Sequence, residues 1–355
     1  MTSTKSGARA ILLLPVFALA VSLAACAPAA SPTPSATPTR AGAHTAAPKP
    51  RTNTAPAQTF GGDCDSILST ASVSAAVGAT VALDAATLTG PIDYAVPSVG
   101  GTECDWSDPA GKGVQQLSLF TLPASLFQAG DKAMDCSTGS GAATCYFNAV
   151  DSGYWFSGYL VSGGNVSAAT AQAAATGLET RLAAAAKSAG AVPSPTPIAG
   201  AWTKPASCEA LGTTAGIVAA SGSPTLQPDS LDTESDMADG YYAALAGSNY
   251  LGCTFSAIGA VAPGKLQGFT VELAPGGAWA KPRIAADGDG VTVARVAIPG
   301  ADTAYTLTDT TQTPSLGITY IEVFDGVNWV AFEPYGGPIT VSQLDPVITA
   351  ILASL

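Results

Sequence analysis

The segment Tyr320-Ile321-Glu322-Val323-Phe324-Asp325-Gly326-Val327-Asn328-Trp329-Val330-Ala331-Phe332 reads as a β-hairpin. Apolar and polar side chains alternate on both sides of Asp325-Gly326, and Asp-Gly between alternating runs predicts a two-residue type I′ turn. With that loop, Phe324 pairs with Val327, Glu322 with Trp329, Tyr320 with Ala331 and Ile318 with Glu333. Successive side chains of a strand point to opposite faces. One face therefore holds Thr319, Ile321, Val323, Val330 and Phe332, which is apolar and suited to a core. The other holds Tyr320, Glu322, Phe324, Trp329 and Glu333, which is aromatic and acidic. Downstream, Leu344, Val347, Ile348, Ile351 and Leu352 recur at helical spacing, a stripe able to cover the apolar face.

The same plan occurs earlier in the chain. Asp151 precedes Trp155 by four residues, as Asp325 precedes Trp329. Gly-Gly pairs follow both, at Gly163-Gly164 and Gly336-Gly337, and helical patterns close both blocks, at 167–187 and 342–354. Further upstream, Cys64-Asp65 matches Cys208-Glu209, and Gly78 and Gly222 each lie 14 residues beyond the cysteine. Glycine there suits the residue that ends a helix. A second cysteine comes 40 residues on in the first block and 45 in the second, within Cys104-Asp105-Trp106 and Cys253-Thr254-Phe255. Matches in the same order indicate an internal duplication. The expected fold is α+β: tandem duplicated domains, each an antiparallel sheet with helices on one face and a closing C-terminal helix. The blocks span residues 60–190 and 204–355, and the alternating prolines of 191–203 (Pro193, Pro195, Pro197) mark an extended linker.

The duplication also orders the cysteines. Apart from Cys26 there are six, which alone permit about 15 pairings. The repeat favours Cys64–Cys104 and Cys208–Cys253, leaving Cys136–Cys145 as a third bridge.

The N-terminal part reads as an address followed by a spacer. Lys5 and Arg9 precede an apolar run from Ala10 to Ser22, then Leu23-Ala24-Ala25-Cys26. A short apolar run with small residues before a cut site is a secretory signal. A cysteine directly after Leu-Ala-Ala resembles the bacterial lipobox. That resemblance implies cleavage after residue 25 and acylation of Cys26, with the chain held on the outer face of the cell membrane through lipid. Residues 26–59 are rich in Pro, Ala and Thr and predict a tether.

Composition narrows the chemistry. The net charge is −12, and all 26 acids lie beyond residue 58, against nine basic side chains there. Such a balance opposes nucleic-acid binding, which needs a basic surface. The single histidine, His44, falls in the tether, so no Ser-His or Cys-His catalysis is expected, and no nucleotide-binding glycine pattern calls for a cofactor. Tyr320, Glu322, Phe324, Trp329 and Glu333 are the candidate ligand-binding residues, because an aromatic sheet face is costly unless covered or used. The alternative is that the other domain or a loop covers them. Glu322 and Glu333 would also be the acids of a carboxylate-dependent glycoside hydrolase, and a plain envelope spacer is a third reading. Asp232, Glu234 and Asp236 alternate in a loop and are weak calcium candidates, lacking the full EF-hand spacing.

Lipobox, tether, and domains with an early Cys-acid pair and a later Cys-x-aromatic resemble actinobacterial cell-envelope lipoproteins. The domains are also similar to the disulfide-bonded sensor domains outside actinobacterial Ser/Thr kinases. The resemblance implies an extracytoplasmic binding role toward an envelope ligand or protein, and it carries over no catalytic residue.

Overall fold

Among the described residues two antiparallel sheets form, one per repeat, and their strand orders match. In a computed structural model the described residues are 54–84, 90–110, 113–128, 133–139, 142–164, 166–231, 237–259, 261, 266–285, 291–309, 320–335 and 339–355. The segment read as a signal, Cys26, most of the segment read as a tether, the acidic trio Asp232, Glu234 and Asp236, and Ile318 and Thr319 lie outside them.

The first domain runs α1 (Cys64–Ile67), α2 (Thr70–Val77), β1 (Ala82–Leu83), a 3-10 turn Pro91–Tyr94 leading into α3 (Ala95–Ser98), β2 (Thr102–Ser107), β3 (Val114–Pro123), β4 (Met134–Thr138), β5 (Ala143–Asp151), β6 (Tyr154–Ser162) and α4 (Ala168–Ser188). The second runs α5 (Cys208–Thr214), α6 (Ile217–Ser221), β7 (Leu226–Ser230), α7 (Asp239–Gly247), β8 (Leu251–Ala257), β9 (Gly268–Ala274), a 3-10 turn Gly277–Ala280 leading into α8 (Lys281–Ile284), β10 (Val291–Val296), β11 (Thr303–Asp309), β12 (Tyr320–Asp325), β13 (Asn328–Tyr335) and α9 (Val341–Ser354). The sheet orders are β1-β2-β3-β6-β5-β4 and β7-β8-β9-β13-β12-β11-β10. The second sheet is the first with one added edge strand, β10. The duplication expected from the cysteine and tryptophan spacing is thus present as repeated topology.

Local chemistry explains the helix ends. Ser69, Ser167 and Ser207 cap α2, α4 and α5 by accepting the backbone N–H three residues on. Gly78 (φ +67°) and Gly222 (φ +61°) end α2 and α6 in the left-handed region that favours glycine. The stripe Leu344, Val347, Ile348 and Ile351 on α9 is fully buried against Ile321, Val323, Val330 and Phe332. Ala171, Ala175, Leu178 and Leu182 on α4 cover the first sheet in the same way. The cysteines pair as Cys64–Cys104, Cys136–Cys145 and Cys208–Cys253. Closing a loop of 40 or 45 residues contributes about 4 kcal/mol in the chain-entropy model. Cys136 and Cys145 are direct partners across β4 and β5.

The hairpin register differs from the expected one. Asp325 pairs with Asn328 and Phe324 with Trp329, so the loop is Gly326-Val327 rather than Asp325-Gly326. Gly326 (φ +59°) takes the first central position, as in a type II′ turn, and donates its N–H to Asp302 Oδ2 at 2.8 Å. Moving one strand by two residues preserves which side chains share a face, so among the described residues both faces keep their predicted members. The matching turn of the first domain, Ser152-Gly153, has positive φ at both residues.

The described ends of the segments expected to be loose are docked. Thr59, placed at the end of the tether, is fully buried. Its hydroxyl donates to Thr121 O at 2.9 Å, and its carbonyl accepts from Thr102 Oγ1 at 2.6 Å. In the linker, Trp202 N donates to Asn328 Oδ1 at 2.8 Å, and Gly200 O accepts from Asn328 Nδ2 at 3.2 Å.

Each domain's own long helix packs on one face of its sheet, and the other domain supplies the cover for the opposite face. The connector before β8 carries α7, which lies on the first sheet. Gly240 N donates to Ser157 Oγ at 2.8 Å, and Tyr241 meets Phe120 with ring centroids 5.8 Å apart. A Cβ on Gly240 would stand 2.6 Å from Ser157 Cβ, so the close approach requires glycine. The corresponding connector of the first domain meets the second sheet through its turn Pro91–Tyr94, while α3 packs on α7 and Val96 joins Phe120 and Leu122 of the first domain. Ile92 N donates to Glu272 Oε2 at 2.9 Å, and Tyr94 meets Trp329 edge-on at 5.0 Å.

Candidate functional site

The aromatic and acidic hairpin face lies inside this exchange. Trp329 and Glu322 are 0% exposed and Phe324 is 2% exposed, while Tyr320 and Glu333 are half-buried. The expectation of an open binding face on these five residues is therefore corrected: the turns Pro91–Tyr94 and Gly277–Ala280 cover it. Tyr94, Phe324 and Trp329 join one cluster with Ala280, Ile284 and Leu307. The cause is the cost of leaving aromatic rings in water, met here by the neighbouring domain rather than by a ligand. Glu322 and Glu333 cannot act together on a sugar, because Glu322 has no exposed surface.

The burial leaves carboxyl groups in an apolar place. Glu322 Oε2 accepts Trp329 Nε1–H at 2.5 Å, and Oε1 is buried without a hydrogen-bond partner. Burial holds the Glu322 carboxyl well above the usual carboxylate range, against the Trp329 hydrogen bond, with Glu272 and Asp93 adding to the rise. Glu272 is pushed up to about 7, first by burial, opposed by the Ile92 N–H and the Tyr250 hydroxyl, with Asp93 and Glu333 adding. Burial also raises Glu333.

The first sheet carries a matched pair. Trp155 Nε1 donates to Asn148 Oδ1 at 3.0 Å, and Asn148 Nδ2 donates to Asp239 Oδ2 of the covering connector at 2.6 Å. Trp155 and Trp329 are the second residues of β6 and β13, and each bonds a polar side chain seven residues earlier. The same position thus holds an amide in one domain and a carboxyl in the other. A tryptophan with a polar residue seven positions before it, in both repeats, was a signal the sequence offered.

An open site lies beside this interface. A cleft of about 370 Å³ is lined by Asp63, Asp84, Asp93, Glu103 and Asp105, with Arg283 from the second domain at its edge. The strand period explains two of the acids. Cys104 and Trp106 of β2 turn into the core, so Glu103 and Asp105 turn the other way. The Cys64–Cys104 bridge brings α1 and its cap Asp63 over the same strand. Asp63 accepts Ser66 Oγ–H at 2.6 Å, Asp84 accepts Ser107 Oγ–H at 2.7 Å, and Asp105 accepts the Ser118 hydroxyl. The Glu103 carboxyl is pushed up to about 8, chiefly by burial, with Asp105 and Asp93 adding. Asp105 is raised by burial, opposed by Ser118, with Asp84 adding. Sequence reasoning passed over Glu103 and Asp105 because it used Cys104-Asp105-Trp106 only to mark the repeat. The alternation Glu-Cys-Asp-Trp, read at period two, would have put both acids on the face away from the core.

A larger hollow of about 690 Å³ lies between α5, α6 and β7, lined by Gly212, Ile217, Val218, Leu226 and Phe255 with the single acid Glu209. It belongs to one domain and offers few groups to orient a ligand. Among the described residues no cluster of acids, cysteines or histidine is arranged to hold a metal, and no helix is long and apolar enough to cross a membrane. Comparison with known proteins finds no matching family model, no matching curated protein and no matching solved structure.

Proposed function

We propose that the chain is an exported binding protein, anchored through lipid on Cys26 and non-catalytic, whose ligand site is the acidic cleft between α1, β2 and the connector Pro91–Ser98. The observation that carries this reading is the set of five carboxyl groups and one guanidinium around a single cleft, with Glu103 ready to give up its proton when a cation enters. Such a surround favours a cationic group, because charge lined up in a partly desolvated hollow attracts its opposite over several ångströms. A small organic amine or a lysine or arginine side chain of an envelope partner matches that charge, and the cleft volume of about 370 Å³ suits a group of that size. Both domains contribute, which gives a reason for the interdomain contact.

The test is calorimetry with spermidine and with a short oligoarginine peptide at low ionic strength. Saturable binding is expected, weakened about tenfold by a double Glu103→Gln, Asp105→Asn change and by raising salt. Binding that survives that double change would refute the cleft as the site.

A second reading uses the same two acids. Glu103, raised toward a general-acid range, stands beside Asp105, and glycoside hydrolysis needs an acid paired with a carboxylate. Turnover of chromogenic glycosides, abolished by Glu103→Gln, would favour it over binding alone.

A further inference from the structure

We propose that the contact between the connector Pro91–Ser98 and the second sheet is a pH-operated latch, closed while its buried carboxyl groups carry protons and released when they ionise. The two domains cover each other by equivalent connectors, which also meet through α3 and α7, and the side chain beneath the covered tryptophan differs between the two junctions. Under the tryptophan of the first sheet sits Asn148, an amide with no proton to lose, which also donates to Asp239 on its connector. Under the tryptophan of the second sheet sits Glu322, fully buried, with Oε1 unpartnered and Tyr94 of the connector closed over Trp329. Glu272, 7% exposed, holds the connector itself through the Ile92 N–H.

The groups facing these carboxyls make the junction sensitive. From the connector come Asp93 and Tyr94, from β13 Glu333, from β12 Tyr320, and from the second domain's own connector Tyr241 and Tyr250. Arg283 of α8 acts on Tyr94, and Lys281 donates to Thr303 Oγ1 at 2.8 Å and lies over the Phe324 ring. Neither cation pairs with Glu272 or Glu322. Ionisation therefore creates buried negative charge beside negative charge, with the Trp329 indole N–H, the Ile92 N–H and the Tyr250 hydroxyl as the donors that stabilise it. Burying an unpaired charge is far costlier than exposing it. The short connector is the part able to yield, and its departure hydrates Glu272 and Glu322 and uncovers Tyr320, Phe324 and Trp329. Opening follows rising pH, because loss of the proton is what makes burial unfavourable.

Hydrogen exchange by mass spectrometry on the mature, disulfide-bonded chain tests this, at about pH 6 and about pH 9 with correction for intrinsic exchange. Protection of peptides covering residues 90–98 is expected to fall at least about tenfold at the higher pH, while 239–247 keeps its protection. The double variant Glu272→Gln, Glu322→Gln is expected to hold 90–98 protected at both values. Unchanged protection of 90–98 in the wild type, equal loss at both connectors, or equal loss in the folded variant would overturn the latch. Should the variant not fold, the contrast between the two wild-type connectors decides the matter.

Discussion

Replacing Tyr94 by Ala removes a first-domain side chain that completes the core of the second. Tyr94 is 1% exposed and meets Trp329 and Trp279 edge-on at 5.0 and 5.2 Å. Truncating a buried aromatic ring to Ala costs about 3–5 kcal/mol, and edge-on pairs contribute about 0.5–1.5 kcal/mol beyond area. The hydroxyl adds nothing to this, because it is buried without a hydrogen-bond partner. Tyr94→Phe should therefore lose no stability and gain up to about 1 kcal/mol. Urea unfolding followed by tryptophan fluorescence reads both quantities, since Trp279 and Trp329 flank the ring. The Tyr94→Ala protein should unfold about 4 kcal/mol more readily, with red-shifted emission before the main transition. A cost below about 1 kcal/mol with unchanged emission would refute the exchanged cover. So would a Tyr94→Phe cost equal to that of Tyr94→Ala, which would place the energy in the hydroxyl.

The remaining predictions concern titration, packing and anchoring. Glu272 rises from its ordinary 4.5 to about 7 on folding, so its contribution is intact below about pH 4.5 and is lost as pH climbs through 7, by about 3 kcal/mol in all. Urea midpoints from about pH 5 to 8 should fall accordingly, and a rise over that window would contradict the burial. Gly240→Ala should destabilise by about 1–3 kcal/mol, because the new Cβ meets Ser157, and a neutral effect in thermal unfolding would show that α7 is not seated there. Cys26→Ala should move the protein from the membrane fraction to the medium, and retention with no fatty-acid label would remove the proposed anchor.

The parts legible in the sequence were those set by local periodicity. Alternation through Ile321, Val323, Val330 and Phe332 separated core from opposite face, and the stripe at Leu344, Val347, Ile348 and Ile351 identified its cover. The face assignment held although the turn was misplaced, because Asp-Gly suggested one loop and Gly326-Val327 formed another two residues out of step. What lay on the opposite face was not legible. Alternation says that Trp329 and Glu322 share a side, and it carries no information on a connector more than 220 residues earlier, such as the one bearing Tyr94. The same gap turned a candidate binding face into an interface. The acidic cleft was hidden for a related reason: Asp63, Asp84, Asp93 and Glu103 are dispersed in sequence, and the Cys64–Cys104 bridge and the sheet bring them together.

The backbone N–H of Ile92 tests the exchanged cover most directly, because its hydrogen bond to Glu272 crosses from one domain to the other. Its exchange rate, followed by nuclear magnetic resonance in the mature protein near pH 6, should be slowed to the level of the β9 and β13 amides, and Glu272→Ala should speed it while those strand amides stay protected. An Ile92 amide exchanging at the rate of an open loop would mean that the connector does not rest on the second sheet.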